Sequence, residues 1–195
     1  MMSTTTPANK SNPFIRHLSI FAGLAFFMLL TRGSHALTAV AFPDASLAIF
    51  LLGGLFLGRA VWFVAFFVLA SLIDFGAAAL DPMQGFCLTD GYWGLIPAYA
   101  VMWMGGRFLG KQQNPFAVMP YSIVSVVTTL AAFVISTQAY YLFSGRFPNH
   151  GMQETIQYGW NYLPTYLGYT MMYFAIIWAT AQLIRRVRID RTVQA

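Results

Sequence analysis

Charge is what this chain has least of: Asp, Glu, Lys and Arg make up only 9% of its 195 residues. A soluble domain carries roughly a quarter, so this sequence cannot solvate a surface around one core, and the soluble globular class is excluded. Cysteine occurs once, at Cys87, which rules out an internal disulfide. No Gly-x-x-x-x-Gly-Lys-Ser/Thr stretch is present, so the chain has no phosphate-binding loop of its own. It also lacks internal repeats and long polar linkers. The net charge of +5 does not point to nucleic acid, because the basic residues are scattered at the ends of apolar runs instead of gathered on one face. No nucleic-acid partner is expected.

What is abundant is apolar surface, at 58% hydrophobic residues and a mean hydropathy of +0.61. That excess has to face a lipid bilayer. Six spans of about 20 residues consume about 120 positions and leave no room for a soluble domain. The expected fold is all-α: a polytopic membrane protein with six transmembrane helices near Phe14–Leu30, Ala45–Gly58, Ala60–Leu80, Gly91–Gly106, Ala117–Phe143 and Tyr158–Ile184. Residues 1–13 read as a mobile tail, 14–184 as the membrane domain and 185–195 as a basic cytoplasmic tail. The second and third spans meet through Gly58-Arg59 and should form a tight hairpin; Gly54 and Gly58 and the run Ala77-Ala78-Ala79 suit close helix packing. Lys10, Arg16 and the Ala39-Val40-Ala41 triplet also resemble a signal peptide and its cleavage site. The triplet lies well beyond Leu30, and removal would leave an odd number of spans, so a retained first span is expected.

Six spans put both termini on one side. With that side in the cytoplasm, the inner segments hold Lys10, Arg16, Arg59, Arg107, Lys111, Arg185, Arg186, Arg188 and Arg191, and the outer ones only Arg32 and Arg146. The bias predicts N-in and C-in. It assigns Thr31–Asp44, Asp81–Asp90 and Ser144–Gln157 to the outside, with Cys87, His35, His150 and four of the six acidic residues.

Cys87 stands in the segment Leu80–Tyr99 between Asp81 and Asp90. Either it packs under the loop as a small hydrophobe, or it serves as a soft metal ligand. His35 and His150 stand alone, so a protein-only zinc cage is not expected; a metal on Cys87 would arrive inside its own macrocycle, as in a haem or a corrin, and take one axial donor. Phe86, Tyr92, Trp93, Tyr99 and Trp103 follow closely. They read either as interfacial anchors or as a cavity wall, Tyr92 and Tyr99 being seven residues apart on one helical face. Tyr158, Asn161, Tyr162, Tyr166 and Tyr169 give the last span a similar face, which Pro164 is expected to loosen. Asp74 is the one carboxylate inside a span, and must face the interior, pair or be protonated.

Phe42-Pro43-Asp44-Ala45-Ser46, Cys87-x-Thr89, Tyr92, Pro97-Ala98-Tyr99, Trp103 and Gly106-Arg107 together resemble the BtuM family of small bacterial vitamin B12 transporters, which are similar to the substrate-binding S-components of energy-coupling factor (ECF) transporters. The resemblance implies a non-enzymatic, multi-pass protein of the bacterial inner membrane that captures cobalamin from outside, with Cys87 as axial cobalt ligand and axial ligand exchange as a secondary activity. Cobalamin, the lipid bilayer and an ECF-type energising module are the implied partners. Only Ser19 and Gly23 approximate the Ala-x-x-x-Ala docking pattern of S-components, so the energy source stays open. From position, the pocket residues expected beside Cys87 are Phe42, Asp44, Asp74, Phe86, Thr89, Tyr92, Tyr99, Tyr158 and Tyr162. The alternatives are a membrane-embedded haem or redox subunit, and an S-component for another vitamin.

Overall fold

The computed structural model describes residues 12–33, 42–147 and 152–193, with the backbone alone for Gln84, Cys87 and residues 188–193. Within them all regular structure is helical. The helices are α1 (Pro13–Arg32), α2 (Ser46–Phe56), α3 (Ala60–Leu80), α4 (Leu95–Gly110), α5 (Val118–Phe143), the short α6 (Met152–Gln157) and α7 (Leu163–Val193). Turns of 3₁₀ helix occupy Pro82–Cys87, Asp90–Gly94 and Gly159–Tyr162.

Four helical stretches are long and apolar enough to cross a membrane: α1, α3, α5 and Gly159–Val187. Their most apolar windows bury only 11% of residues in α1, α3 and Gly159–Val187, and 33% in α5. Side chains such as Phe26, Leu72, Val127 and Ile176 therefore stand outside the bundle. An apolar face of that extent in water would cost roughly 25 cal/mol per Å², so the bundle is built for lipid.

The second and fourth expected spans differ from the sequence reading. Ala45–Gly58 yields only the eleven residues of α2, about 17 Å of helix against a hydrocarbon thickness of about 30 Å. All nine residues from Ser46 to Gly54 are buried. Apolar on every side, α2 is enclosed by its neighbours and packs most closely on α4. Gly54 lies against the Trp103 backbone and Gly106 against Leu51 O, leaving no room for a Cβ on either. Gly58 does not join this packing. It takes φ 66° and donates its N–H to Gly53 O at 3.1 Å, closing α2 as a left-handed cap. Leu57, Gly58 and Arg59 then form the expected tight hairpin into α3. The fourth helix begins at Leu95 instead of Gly91, because Asp90–Gly94 wind as 3₁₀ turns while Gly91 and Gly94 press onto the α5 backbone and Ala139.

The last helix starts at Leu163, so Pro164 falls in its first turn, where no N–H is required, and bends nothing. Helix continues to Val193 through the basic stretch expected as a tail. Ala78 packs under the turn that carries Gly85, consistent with the small-residue reading of Ala77–Ala79. The core is aromatic: Phe50 stacks on Tyr99 at 4.2 Å between centroids and meets Phe63 and Phe66 edge-on, with Trp103 across Phe63.

Candidate functional site

A cavity of about 840 Å³ opens at the end of the bundle where α1, α3 and α5 finish and α2, α4 and α7 begin. Three walls come from three local patterns. On α5, Phe133, Ser136, Thr137, Tyr140 and Tyr141 recur at one helical face and all line it. On α7 and the turn before it, Tyr162, Thr165, Tyr166, Tyr169 and Thr170 repeat the same spacing. The third wall is Gly91, Tyr92, Leu95 and Tyr99, with Phe86 from the preceding turn. Tyr92 and Tyr99 share the cavity although one sits in a 3₁₀ turn and the other in α4; Ile96, between them, is exposed instead.

The floor is ionic. Arg32, the last residue of α1, reaches inward and donates from Nε and Nη2 to the two oxygens of Asp74 at 2.6 Å each. Its Nη1 donates to Asp44 Oδ2 at 3.0 Å, to Ser46 Oγ at 2.8 Å and to Tyr99 OH at 2.8 Å. Asp44 Oδ1 in turn accepts from the Ser46 N–H at 2.9 Å and hydroxyl at 2.6 Å, satisfying an otherwise orphan donor at the start of α2. Tyr92 OH donates to Asp74 Oδ2 at 2.9 Å. Asp74 is thus held by a bidentate guanidinium, which is how a carboxylate is accommodated within an apolar bundle.

Among the described residues these bonds leave one hydroxyl proton uncommitted. The Tyr99 hydroxyl accepts from Arg32, so its own proton remains to be donated, whereas the Tyr92 hydroxyl is engaged by both Asp74 at 2.9 Å and Ser71 Oγ at 3.4 Å. A proton so placed suits an acceptor such as an amide carbonyl.

At the rim, the Arg146 guanidinium lies 3.8 Å over the Phe86 ring and its Nη2 donates to Phe86 O at 3.0 Å. This clamp fixes the turn Pro82–Cys87 to the segment after α5. Phe147 next to it packs on Tyr141 at 4.5 Å. The Cys87 backbone ends the turn one residue beyond Phe86; its thiol lies outside the described structure, as do His35 and His150.

Six of the residues expected in the pocket do line one cavity: Asp44, Asp74, Phe86, Tyr92, Tyr99 and Tyr162. Phe42 and Tyr158 are about half exposed and lie outside the lining, while Thr89 has a buried hydroxyl without a hydrogen-bond partner among the described residues. Sequence reasoning missed Arg32, the whole α5 wall and Arg146. No group of three or more His, Cys, Asp or Glu residues able to hold a metal occurs among the described residues. The lining offers apolar rings and hydroxyls around the carboxylates of Asp44 and Asp74. No protein-family model matches this chain, and neither does any curated protein.

Proposed function

We propose that this chain is a six-helix, N-in and C-in membrane protein that takes up cobalamin across the bacterial inner membrane, as the resemblance to the BtuM family implies. The observation that carries the reading is the cavity at the end bearing Cys87, with aromatic walls and the Tyr99 hydroxyl proton on its floor. Its 840 Å³ falls in the upper part of the range of about 300–1,000 Å³ for small-molecule sites. Corrin edges carry carboxamide side groups, whose carbonyls suit the Tyr99 proton. In this reading the vitamin enters edge-on and the Cys87 thiol loses its proton to solvent. The thiolate then takes an axial cobalt position while the group bound there leaves, with no change of oxidation state. The charge bias of nine inner against two outer basic residues supports the outward opening of the cavity.

The test is titration of the purified protein with cobalamin, followed by absorption, for the wild type and Cys87→Ala. Thiolate coordination shifts the corrin spectrum of the wild type alone. Binding by both with one unshifted spectrum leaves uptake of the vitamin and removes coordination. A Soret band in the protein as isolated overturns the proposal in favour of a haem subunit. The Arg32 network favours a second reading, an S-component for a smaller polar vitamin; there Cys87→Ala transports normally and cobalamin does not bind.

A further inference from the structure

A second cavity, of about 560 Å³, lies at the opposite end of the bundle, between the loop leading into α5 and the last turns of α7. Its lining combines Arg185 and Arg186 with apolar side chains, among them Phe116, Val118 and Leu183. Trp178 Nε1 and Gln182 Nε2 both donate to Phe116 O at 3.0 Å, and Arg185 Nη1 donates to Asn114 Oδ1 at 3.0 Å. The cavity walls are therefore pinned across two segments far apart in sequence. Neither arginine pairs with a carboxylate among the described residues, where the two ion pairs both belong to Arg32.

Position decides what would bring negative charge here. The last apolar run of the sequence gives way to Arg185, Arg186, Arg188 and Arg191, so both guanidinium groups stand where hydrocarbon gives way to headgroups. Val118 and Leu183, each about 60% exposed, extend the lining onto the lipid-facing surface. A basic end joined to an apolar track fits a ligand with a phosphate at one end and an acyl chain at the other. A soluble phosphate would leave the track empty; a zwitterionic lipid would bring its own cation against the arginines. We propose that this cavity binds an anionic phospholipid of the membrane, its phosphodiester on Arg185 and Arg186 and one acyl chain along Val118 and Leu183.

The test is native mass spectrometry of the full chain in mild detergent, delipidated and then titrated with phosphatidylglycerol, with phosphatidylcholine of the same acyl chains, and with inorganic phosphate. Phosphatidylglycerol is expected to be retained at least tenfold more than phosphatidylcholine, and inorganic phosphate not to displace it. Arg185→Gln with Arg186→Gln should lower that retention on the order of tenfold or more, each arginine contributing about fivefold. Ala179→Trp, which fills the cavity from an exposed lining position and keeps both charges, should lower it as well. Arg59→Gln, at another basic helix end, should not. Equal retention of the two lipids, displacement by phosphate alone, or unchanged retention in both cavity variants overturns the assignment.

Discussion

Replacing Arg32 by alanine tests whether the floor of the first cavity ties the helices together. Arg32 and Asp74 meet at 2.6 Å and their side chains keep only 10% and 20% of their surface. Removing one partner of such a pair strands a desolvated charge, at a cost of about 3–5 kcal/mol. Asp44 keeps 43% of its surface, so water screens it and its pairing contributes about 1 kcal/mol or less. Arg32→Ala and Asp74→Ala are each expected to cost about 3 kcal/mol, and Asp44→Asn clearly less. For a chain of this size about 1 kcal/mol moves the midpoint by about 2–4 °C, so Tm should fall on the order of 6–12 °C in either single variant. Thermal unfolding in mild detergent measures it. The double variant Arg32→Ala with Asp74→Ala removes both charges together, and should fall short of the summed losses by about 2 kcal/mol or more. Additive losses, or single losses under about 1 kcal/mol, would refute the claim that this pair is desolvated and coupled.

Gly106→Ala drives a Cβ into Leu51 O and should part α2 from α4, with a loss of about 2 kcal/mol or more, whereas Gly23→Ala, with open space around it, should be neutral or stabilising by up to about 1 kcal/mol; thermal unfolding of the two variants side by side checks both. Thr165→Trp projects a large ring into the cavity from an exposed position; cobalamin affinity should fall tenfold or more, about 1.4 kcal/mol, with Tm nearly unchanged, and equal loss of both would mean that the substitution damages the fold. Cys87 should react with a membrane-impermeant maleimide in intact cells, and labelling confined to inverted vesicles would reverse the proposed orientation.

Asp74 was legible as a special residue because a carboxylate in an apolar run demands a partner. Its partner was not, because Arg32 at the end of the first apolar run already satisfies the rule that basic residues flank spans, and the two lie 42 positions apart. The α5 wall carried a signal that a periodicity count would find: hydroxyl-bearing residues at 136, 137, 140 and 141 share one helical face. The second helix misled for a different reason. An apolar run of fourteen residues reads alike whether lipid or protein surrounds it, and only Gly53 and Gly54, each packed against Trp103, mark it as enclosed. The 3₁₀ turn at Asp90–Gly94 has a similar origin, since its glycines answer to α5 and not to local propensity.

The shortness of α2 accounts for both the cavity and the ions beneath it. About 17 Å of helix packed beside α1 and α3, whose 20 and 21 residues run about 30 Å, leaves a column at the start of α2 that no helix fills. Residues 42–45 enter it without helical structure, and the remaining volume is the cavity. At that depth an exposed helix start would leave its N–H groups unsatisfied, so Asp44 accepts from Ser46, and the charge it brings requires a cation within reach. Arg32 supplies it and is shared with Asp74 on α3 and Tyr99 on α4. Any ligand that reaches Tyr92 and Tyr99 thus touches the same hydrogen-bond network that fixes the ends of α1 and α2 against α3 and α4. A ligand amide that accepts the Tyr99 proton leaves more negative charge on the oxygen that Arg32 donates to and strengthens that bond, whereas a ligand acid competing for Arg32 loosens its hold on Asp74. In the proposed function the floor would therefore separate neutral amides from carboxylates by what each does to the packing of four helices.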